Sequence, residues 1–307
     1  KFNGEKSSMT LYLPETNCLI QSKVSLASFT SLRVGGTAQW YVAPQNEAQL
    51  QETLQWAREE ALPMTFLGAG SNLLISDRGL QGLVISARNL RQLQINEAAA
   101  TITASAGMPL PTVAWKAAKR GWRGLEWAVG IPGTVGGAIV MNAGAHGACV
   151  ADSLISVVVV TNQGTVERLT PAALNFRYRT SNLQAQPRWV MAATFQLQPG
   201  YSRAEMMTQT RTNLNKRRST QPYDKPSCGS VFRNPTGKAA GWLIEQTGLK
   251  GFQVGGAQVA HRHANFILNQ GQATAQDIYN VIQHVQEKVE QQWSILLQPE
   301  VKLLGEF

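Results

Sequence analysis

A chain of 307 residues that is 43% hydrophobic and 15% charged can bury more than one core, and it has neither a disorder signature nor an apolar run near the roughly 20 residues of a membrane span. Its three cysteines, Cys18, Cys149 and Cys228, are odd in number and far apart, which argues against a disulfide framework or a zinc cluster. The net charge of +9 comes from scattered basic residues with one dense run, Lys216, Arg217 and Arg218, and no aromatic-interleaved basic motif, so a small polyanionic substrate accounts for it as well as nucleic acid would, and a solvated helix face accounts for the run.

The first ten residues, KFNGEKSSMT, are polar, show no secretory signal and read as a disordered start, with the cytoplasm as the default compartment. Residues 37–43 alternate as a strand. Asn46 then caps a helix expected over 47–60, with Ala48, Leu50, Leu54, Trp56, Ala57 and Ala61 on its apolar face. A short buried strand at 64–67 leads into Gly68-Ala69-Gly70-Ser71-Asn72. A strand followed by a glycine turn is the order a phosphate cradle needs. No Gly-Lys-Ser/Thr follows, and 73–75 reads as strand, so this is neither a Walker loop nor the start of a dinucleotide-binding helix.

Strands are expected at 82–86 and 101–105, then a helix over 110–120 begun by Pro109 and Pro111. Next comes GLEWAVGIPGTVGGAIVMNAGAHG at 124–147, with seven glycines among small and apolar residues. It is too apolar for a linker and too rich in glycine for a regular element. Two readings stand side by side here: a pyrophosphate-bearing cofactor held by backbone N–H groups, or tight turns in a buried α/β region.

Strands follow at 154–161 and 165–169 around the turn Asn162-Gln163-Gly164, and another at 189–196 ends near Pro199-Gly200, a domain boundary. Beyond it lie a helix at 203–218, a turn-rich stretch at 221–235 and a helix at 238–248 closed by Gly248. One or two strands are expected within 254–269. Thr274 caps a long helix to Trp293, with a stripe of Ile278, Val281, Ile282, Val285 and Val289, and 295–304 reads as a final strand.

Three places invite chemistry. In Phe176-Arg177-Tyr178-Arg179-Thr180-Ser181 two arginines are spaced to face one side of an extended segment, as forks for a carboxylate or phosphate or as a surface ion-pair strand. Ser227-Cys228-Gly229-Ser230 is a small-residue turn that exposes a hydroxyl, with no histidine partner for a hydrolase, or simply a turn. Glu300 is a lone acid between apolar residues, either buried with a raised pKa or on the surface. The pair His261 and His263 lacks acidic or cysteine companions, so no metal site is read.

These segments together resemble one family from about Phe29 to the C-terminus. It is that of the UDP-N-acetylenolpyruvoylglucosamine reductases (UDP-N-acetylmuramate dehydrogenases), flavoenzymes of bacterial peptidoglycan precursor synthesis. The stretches that carry the resemblance are SLRVGGTAQWYV (31–42), LGAGSNLL (67–74), GIPGTVGGAIVMNAGAHG (130–147), FRYRTS (176–181), TQPYDKPSCGSVFRNP (220–235), AGWLIEQTGLKG (240–251) and LQPEVKLLG (297–305). The resemblance implies an α+β fold. A vanillyl-alcohol-oxidase/p-cresol-methylhydroxylase-type FAD domain would have two subdomains, 29–89 and 90–199, after an N-terminal extension (1–28), with a substrate domain at 200–307.

It implies non-covalent FAD on Leu67, Gly68, Ala69, Gly70, Ser71 and Asn72 and on Gly130, Ile131, Pro132, Gly133, Thr134, Gly136, Gly137 and Ala138. Asn142, Ala143, Gly144 and Lys302 would approach the same cofactor. NADPH would be the hydride donor and UDP-N-acetylglucosamine enolpyruvate the acceptor, in a cytoplasmic monomer. Arg179 would face the substrate carboxylate, Glu300 would assist as a protonated acid, and Ser230 would protonate the α-carbon; Tyr178, Arg218, Arg233, Asn234 and His263 would hold the nucleotide sugar. The short span between Arg179 and Ser230 resembles the subgroup without an extra tyrosine-bearing substrate loop. The alternative is an oxidase of the same fold that tethers its flavin through His146 or Cys149.

Overall fold

Alternating apolar residues build the N-terminal sheet in the computed structural model, which describes residues 9–307. The expected disordered start falls, over residues 1–8, outside the described residues. Thr10–Tyr12 (β1), Leu19–Ser25 (β2) and Thr37–Val42 (β3) run antiparallel. Glu47–Glu59 (α1) follows, with the Asn46 side-chain Oδ1 accepting from the Gln49 N–H at 2.9 Å, the cap the sequence implies. Met64–Leu67 (β4) comes next, Leu73–Ile75 (β5) leaves the sheet, and Leu80–Ser86 (β6) returns to give the order β1-β2-β3-β6-β4, with β3 and β4 both parallel to β6. β1 and β2 occupy what was expected to be an extension. Leu13, Cys18, Ile20 and Leu26 are buried, so this segment is part of the first subdomain's sheet. Its strands are short and half polar, which left little period to read.

The second sheet is antiparallel throughout. Leu93–Asn96 (β7), Thr101–Ser105 (β8), Leu154–Thr161 (later β11), Val166–Leu169 (β12) and Arg188–Gln196 (β13) are ordered β12-β11-β13-β8-β7. Between β8 and β11 lie the helix Leu110–Ala118 (α2), the short helix Val135–Val140 (α3) and the hairpin of Gly144–Ala145 (β9) with Ala148–Cys149 (β10). The glycine-rich stretch therefore resolves into a turn, one helix and a hairpin. A Cβ on Gly136 would sit 3.0 Å from the Ala106 Cβ, so glycine there lets α3 lie directly on the end of β8. Arg203–Thr220 (α4) packs on α2 and on the turn at 126–130, and Asn213 Nδ2 donates to the Glu126 carbonyl at 3.1 Å. A helix expected to open the C-terminal domain thus lies against the elements between β8 and β11 of the second sheet.

The C-terminal unit holds Ala240–Gln246 (α5), the three short antiparallel strands Gln253–Val254 (β14), Ala257–Val259 (β15) and Ile267–Asn269 (β16), then Ala275–Trp293 (α6) and Lys302–Leu304 (β17). The expected stripe on α6 is buried along its length. The expected final strand shrinks to three residues, with Pro299 joined only by an isolated antiparallel bridge to Phe232. β17 pairs in parallel with β5, and Leu32, Val34 and Leu74 from the N-terminal third belong to the C-terminal core. No described helix is long and apolar enough to cross a membrane.

Asp77 adds a polar clamp to this junction. Its carboxylate accepts from the N–H groups of Ala275 (2.9 Å) and Gln276 (3.0 Å) at the start of α6. Negative charge and acceptors are both favoured at a helix N-terminus. Asp77→Ala is expected to cost about 1 kcal/mol, read as a lower urea midpoint. An unchanged midpoint would mean that Thr274, which already caps the helix, satisfies it alone.

Candidate functional site

Two glycine segments from different sheets meet at one place. Gly70 has φ +64°, and a Cβ there would lie 2.0 Å from the Phe29 carbonyl oxygen, so no other residue fits. A Cβ on Gly68 would reach within 2.7 Å of Thr134 Oγ1, and Ser71 Oγ donates to the Pro132 carbonyl at 2.9 Å. The turn after β4 therefore lies directly on the segment before α3. Among the described residues, the N–H groups of Ala69, Gly70, Ser71, Gly133 and Thr134 have no protein acceptor. Such donors, in a junction cleared of side chains, are what a dinucleotide pyrophosphate requires. The residues fit FAD. Asn142 is different: its Nδ2 donates to the Arg177 carbonyl at 3.1 Å and its Oδ1 accepts from the Ala151 N–H at 3.1 Å, so its side chain is engaged within the protein.

The arginine segment is a tight turn, not the extended run expected. Arg177 N–H bonds the Thr180 carbonyl (2.9 Å) and Thr180 N–H bonds the Arg177 carbonyl (3.1 Å), leaving Tyr178 and Arg179 at the corner. Arg177 is exposed, while Arg179 turns inward at φ +55°, a turn position normally given to Gly or Asn. Tertiary donors hold it there. The Arg179 carbonyl accepts from Gln184 Nε2 (3.1 Å) and Arg233 Nη2 (3.3 Å), and Ser181 Oγ donates to the Val140 carbonyl at the end of α3 (2.8 Å). Strain of this kind is held by its surroundings and clusters at functional sites.

Arg179 Nε lies 3.1 Å from Glu300 Oε1, with both side chains mostly buried at 24% and 16% exposure. The pair is close but not aligned as a hydrogen bond: Arg179 Nε and Arg233 Nε are both buried without an acceptor. Two orphaned guanidinium donors beside one carboxyl make a place for a further anion. Burial pushes the Glu300 carboxyl above its ordinary range, against the opposing pull of the Arg179 and Arg233 guanidiniums. Ser230 arrives from the other side. Its neighbour Val231 donates to the Asn265 carbonyl (2.8 Å) and accepts from the Glu300 N–H (2.7 Å), so the serine and glutamate segments are bonded together. Cys228 is buried and its thiol is pushed up to about 12 by burial, which makes it an inert filler.

The nucleotide-sugar residues are only partly gathered. Tyr178 is 57% exposed, with the Arg179 guanidinium 5.3 Å from its ring centroid. Burial, and then the Lys250 and Arg217 charges, hold His263 below its ordinary pKa; its Nδ1 accepts from the Asn265 N–H at 3.3 Å. Asn234 Oδ1 accepts from the Ala240 N–H (3.0 Å) at the start of α5, leaving its amide N–H groups for other partners. Lys302 is half-buried with a pKa lowered by burial and by Arg233.

Arg218 is exposed, and its neighbour Arg217 faces the site. At 100° per residue, Arg217 falls on the stripe of Met206, Thr210 and Asn213 that α4 buries, and Arg218 points a quarter-turn away. Arg217 Nε donates to the Tyr223 hydroxyl at 3.1 Å, and a Cβ on Gly130 would meet its Cδ at 2.5 Å. Helical phase was the available signal for Arg217; nothing in the local pattern marked Gln184.

Two family profiles match this chain: that of the FAD binding domain over residues 38–170, and that of the UDP-N-acetylenolpyruvoylglucosamine reductase C-terminal domain over residues 221–304. The chain is 59% identical over 298 residues to UDP-N-acetylenolpyruvoylglucosamine reductase of Acaryochloris marina, covering 97% of each protein. It is 58% identical over 305 residues to the enzyme of the same name from a Nostoc species, covering 99% of this chain and 92% of that one. Among solved structures, UDP-N-acetylenolpyruvylglucosamine reductase from Thermus caldophilus superposes with a TM-score of 0.80 at 32% identity, over 97% of this chain and 100% of that one. The chain therefore belongs to the family of UDP-N-acetylenolpyruvoylglucosamine reductases, FAD-dependent oxidoreductases.

Proposed function

We propose that this chain reduces the enolpyruvyl group of UDP-N-acetylglucosamine enolpyruvate to the lactyl ether of UDP-N-acetylmuramate, with NADPH as reductant, in the cytoplasm. The observation that carries the reading is the meeting of Arg179, Glu300 and the Ser230 segment beside a two-sheet cradle of free backbone donors. When bound, FAD would supply the redox chemistry, hydride transfer from NADPH and then to the β-carbon of the enolpyruvyl group.

The protein manages the charge and the proton. As the β-carbon gains hydride, negative charge develops at the α-carbon and spreads into the carboxylate. Arg179 offers a fixed cation to that carboxylate in a site shielded from water, where preorganised charge has most effect. Glu300, whose burial favours the protonated form against the pull of Arg179 and Arg233, serves as the acid that donates to the developing oxyanion. Ser230 gives its proton to the α-carbon, completing a CH₃–CH unit where CH₂=C stood, and recovers a proton from solvent. Leu67, Gly68, Ala69, Gly70, Ser71 and Asn72 would hold the cofactor from one side, and Gly130, Ile131, Pro132, Gly133, Thr134, Gly136, Gly137 and Ala138 from the other, with Ala143 and Gly144 nearby. Arg217, Arg233 and Lys302 add positive potential for the two anionic nucleotides.

The test begins with the visible spectrum of the purified protein. A flavin spectrum is expected, released intact on acid precipitation, bleached by NADPH without oxygen and restored by the enolpyruvyl nucleotide with a two-hydrogen mass gain in that nucleotide. A flavin that stays on the precipitated protein would favour the oxidase with a tether at His146 or Cys149. Reduction by NADPH without reoxidation by the nucleotide would remove the substrate assignment.

A further inference from the structure

The turn that opens the cofactor cradle and the segment that carries Glu300 are 228 positions apart in sequence, yet they are joined at one residue. β5 begins immediately after Asn72 and β17 begins two residues after Glu300; the strands pair in parallel with Leu73 opposite Lys302. Asn72 closes the open end of that ladder twice. Its backbone carbonyl accepts from the Lys302 N–H at 3.0 Å, and its side-chain Nδ2 donates to the Glu300 carbonyl at 3.0 Å. The Glu300 N–H meanwhile bonds the Val231 carbonyl at 2.7 Å. The Glu300 peptide is thus gripped from the cofactor turn on one side and from the Ser230 segment on the other.

The backbone bond to Lys302 needs no particular residue at position 72. The bond to Glu300 does. The Glu300 carbonyl lies before the β5–β17 ladder, which starts at Leu73 and Lys302, and the donor it receives is the Asn72 side-chain amide. Alanine has no donor, serine is one group shorter, and aspartate would set a carboxylate oxygen against the carbonyl. We propose that Asn72 is a positioning residue: its side-chain amide fixes the Glu300 backbone, and through it the carboxyl, against Arg179 and the turn that carries the cofactor. This rests on the catalytic reading of Glu300 given above.

The experiment uses Asn72→Ala, with Asn72→Ser as a second variant should alanine fail to fold. In flavin-free protein the Glu300 carboxyl is titrated by carbon-13 NMR, its resonance assigned with Glu300→Gln. With the strut cut, Glu300 gains contact with water, and its midpoint is expected to fall by about half a pH unit or more. In the flavin-loaded protein, flavin content and reduction by NADPH are recorded separately, so that any loss of cofactor contact at Asn72 is read apart from the effect on Glu300. Reoxidation by the enolpyruvyl nucleotide is expected to slow by about 30- to 100-fold, and its alkaline limb to move to lower pH, because the protonated acid is lost earlier. An unmoved Glu300 titration with both half-reactions slowed equally would overturn the proposal and leave Asn72 as a plain part of the cradle. If wild-type reduced protein ignores the nucleotide, the catalytic reading falls instead, and the NMR titration still decides whether Asn72 positions Glu300.

Discussion

Ser230→Ala is expected to leave reduction of the bound flavin by NADPH near the wild-type rate while slowing reoxidation by the enolpyruvyl nucleotide by about 10²- to 10⁴-fold, the range for loss of a positioned acid. A serine hydroxyl is a poor acid in water, so its value lies in where it is held. Gly229, at φ +80°, turns the chain into Ser230, and Val231 is bonded on both its N–H and its carbonyl. None of those bonds uses the Ser230 hydroxyl, so alanine should keep the backbone and remove only the proton donor. Stopped-flow absorbance of the flavin, with each half-reaction run separately without oxygen, makes the comparison. Equal slowing of both halves would point to a damaged cradle. Unaltered reoxidation would take the acid role from Ser230 and give the α-proton to water.

The elements that were legible are those whose stability is local. α6 announces itself by a buried stripe and by Thr274, whose Oγ1 accepts from the Asp277 N–H at 3.0 Å; Asn46 does the same for α1. The turn at 68–72 was readable as a constrained backbone turn because glycine reports such a constraint directly: Gly70 has φ +64°. The resemblance to a family joined that turn to the second glycine segment and to Arg179, Glu300 and Ser230, which no local pattern could connect.

What remained hidden is what tertiary contacts impose. Nothing in the residues at 176–181 announces a turn with arginine at positive φ; that conformation depends on donors from Gln184 and Arg233 acting on the Arg179 carbonyl and on Asn142 acting on the Arg177 carbonyl. β1 and β2 are strands because a neighbouring edge pairs them; their burial alternates, but the inward positions of β2 include Ser22 beside Ile20 and Val24, so the sequence shows little of it. α4 is polar over most of its surface, so its length was clear but its packing partner was not. Arg218 was implied by its position in the resemblance, whereas helical phase separates it from Arg217 and favours Arg217 for the interior.

Replacing Arg179 separates charge from shape. Arg179→Lys keeps a cation but loses the planar fork and the Nε that now lies 3.1 Å from Glu300 Oε1. Both residues tolerate the corner conformation equally, and the bonds that hold the turn act on the backbone carbonyl, so the fold should survive. Reoxidation is expected to fall by about 10²- to 10³-fold, as when one preorganised oxyanion donor is removed, with flavin content and reduction by NADPH little changed. Arg179→Ala goes further, because it also removes the largest charge opposing the effect of burial on Glu300. With that pull gone the Glu300 carboxyl should titrate at still higher pH, and any activity that remains should persist further into the alkaline range than in wild type. The lysine variant, with its charge retained, should show a smaller shift of that limb. A lysine variant that reoxidises at nearly the wild-type rate would show that a point charge is enough at position 179. Lysine and alanine variants alike in both rate and pH limb would instead mean that the guanidinium acts through its shape, with its charge adding nothing to the Glu300 carboxyl.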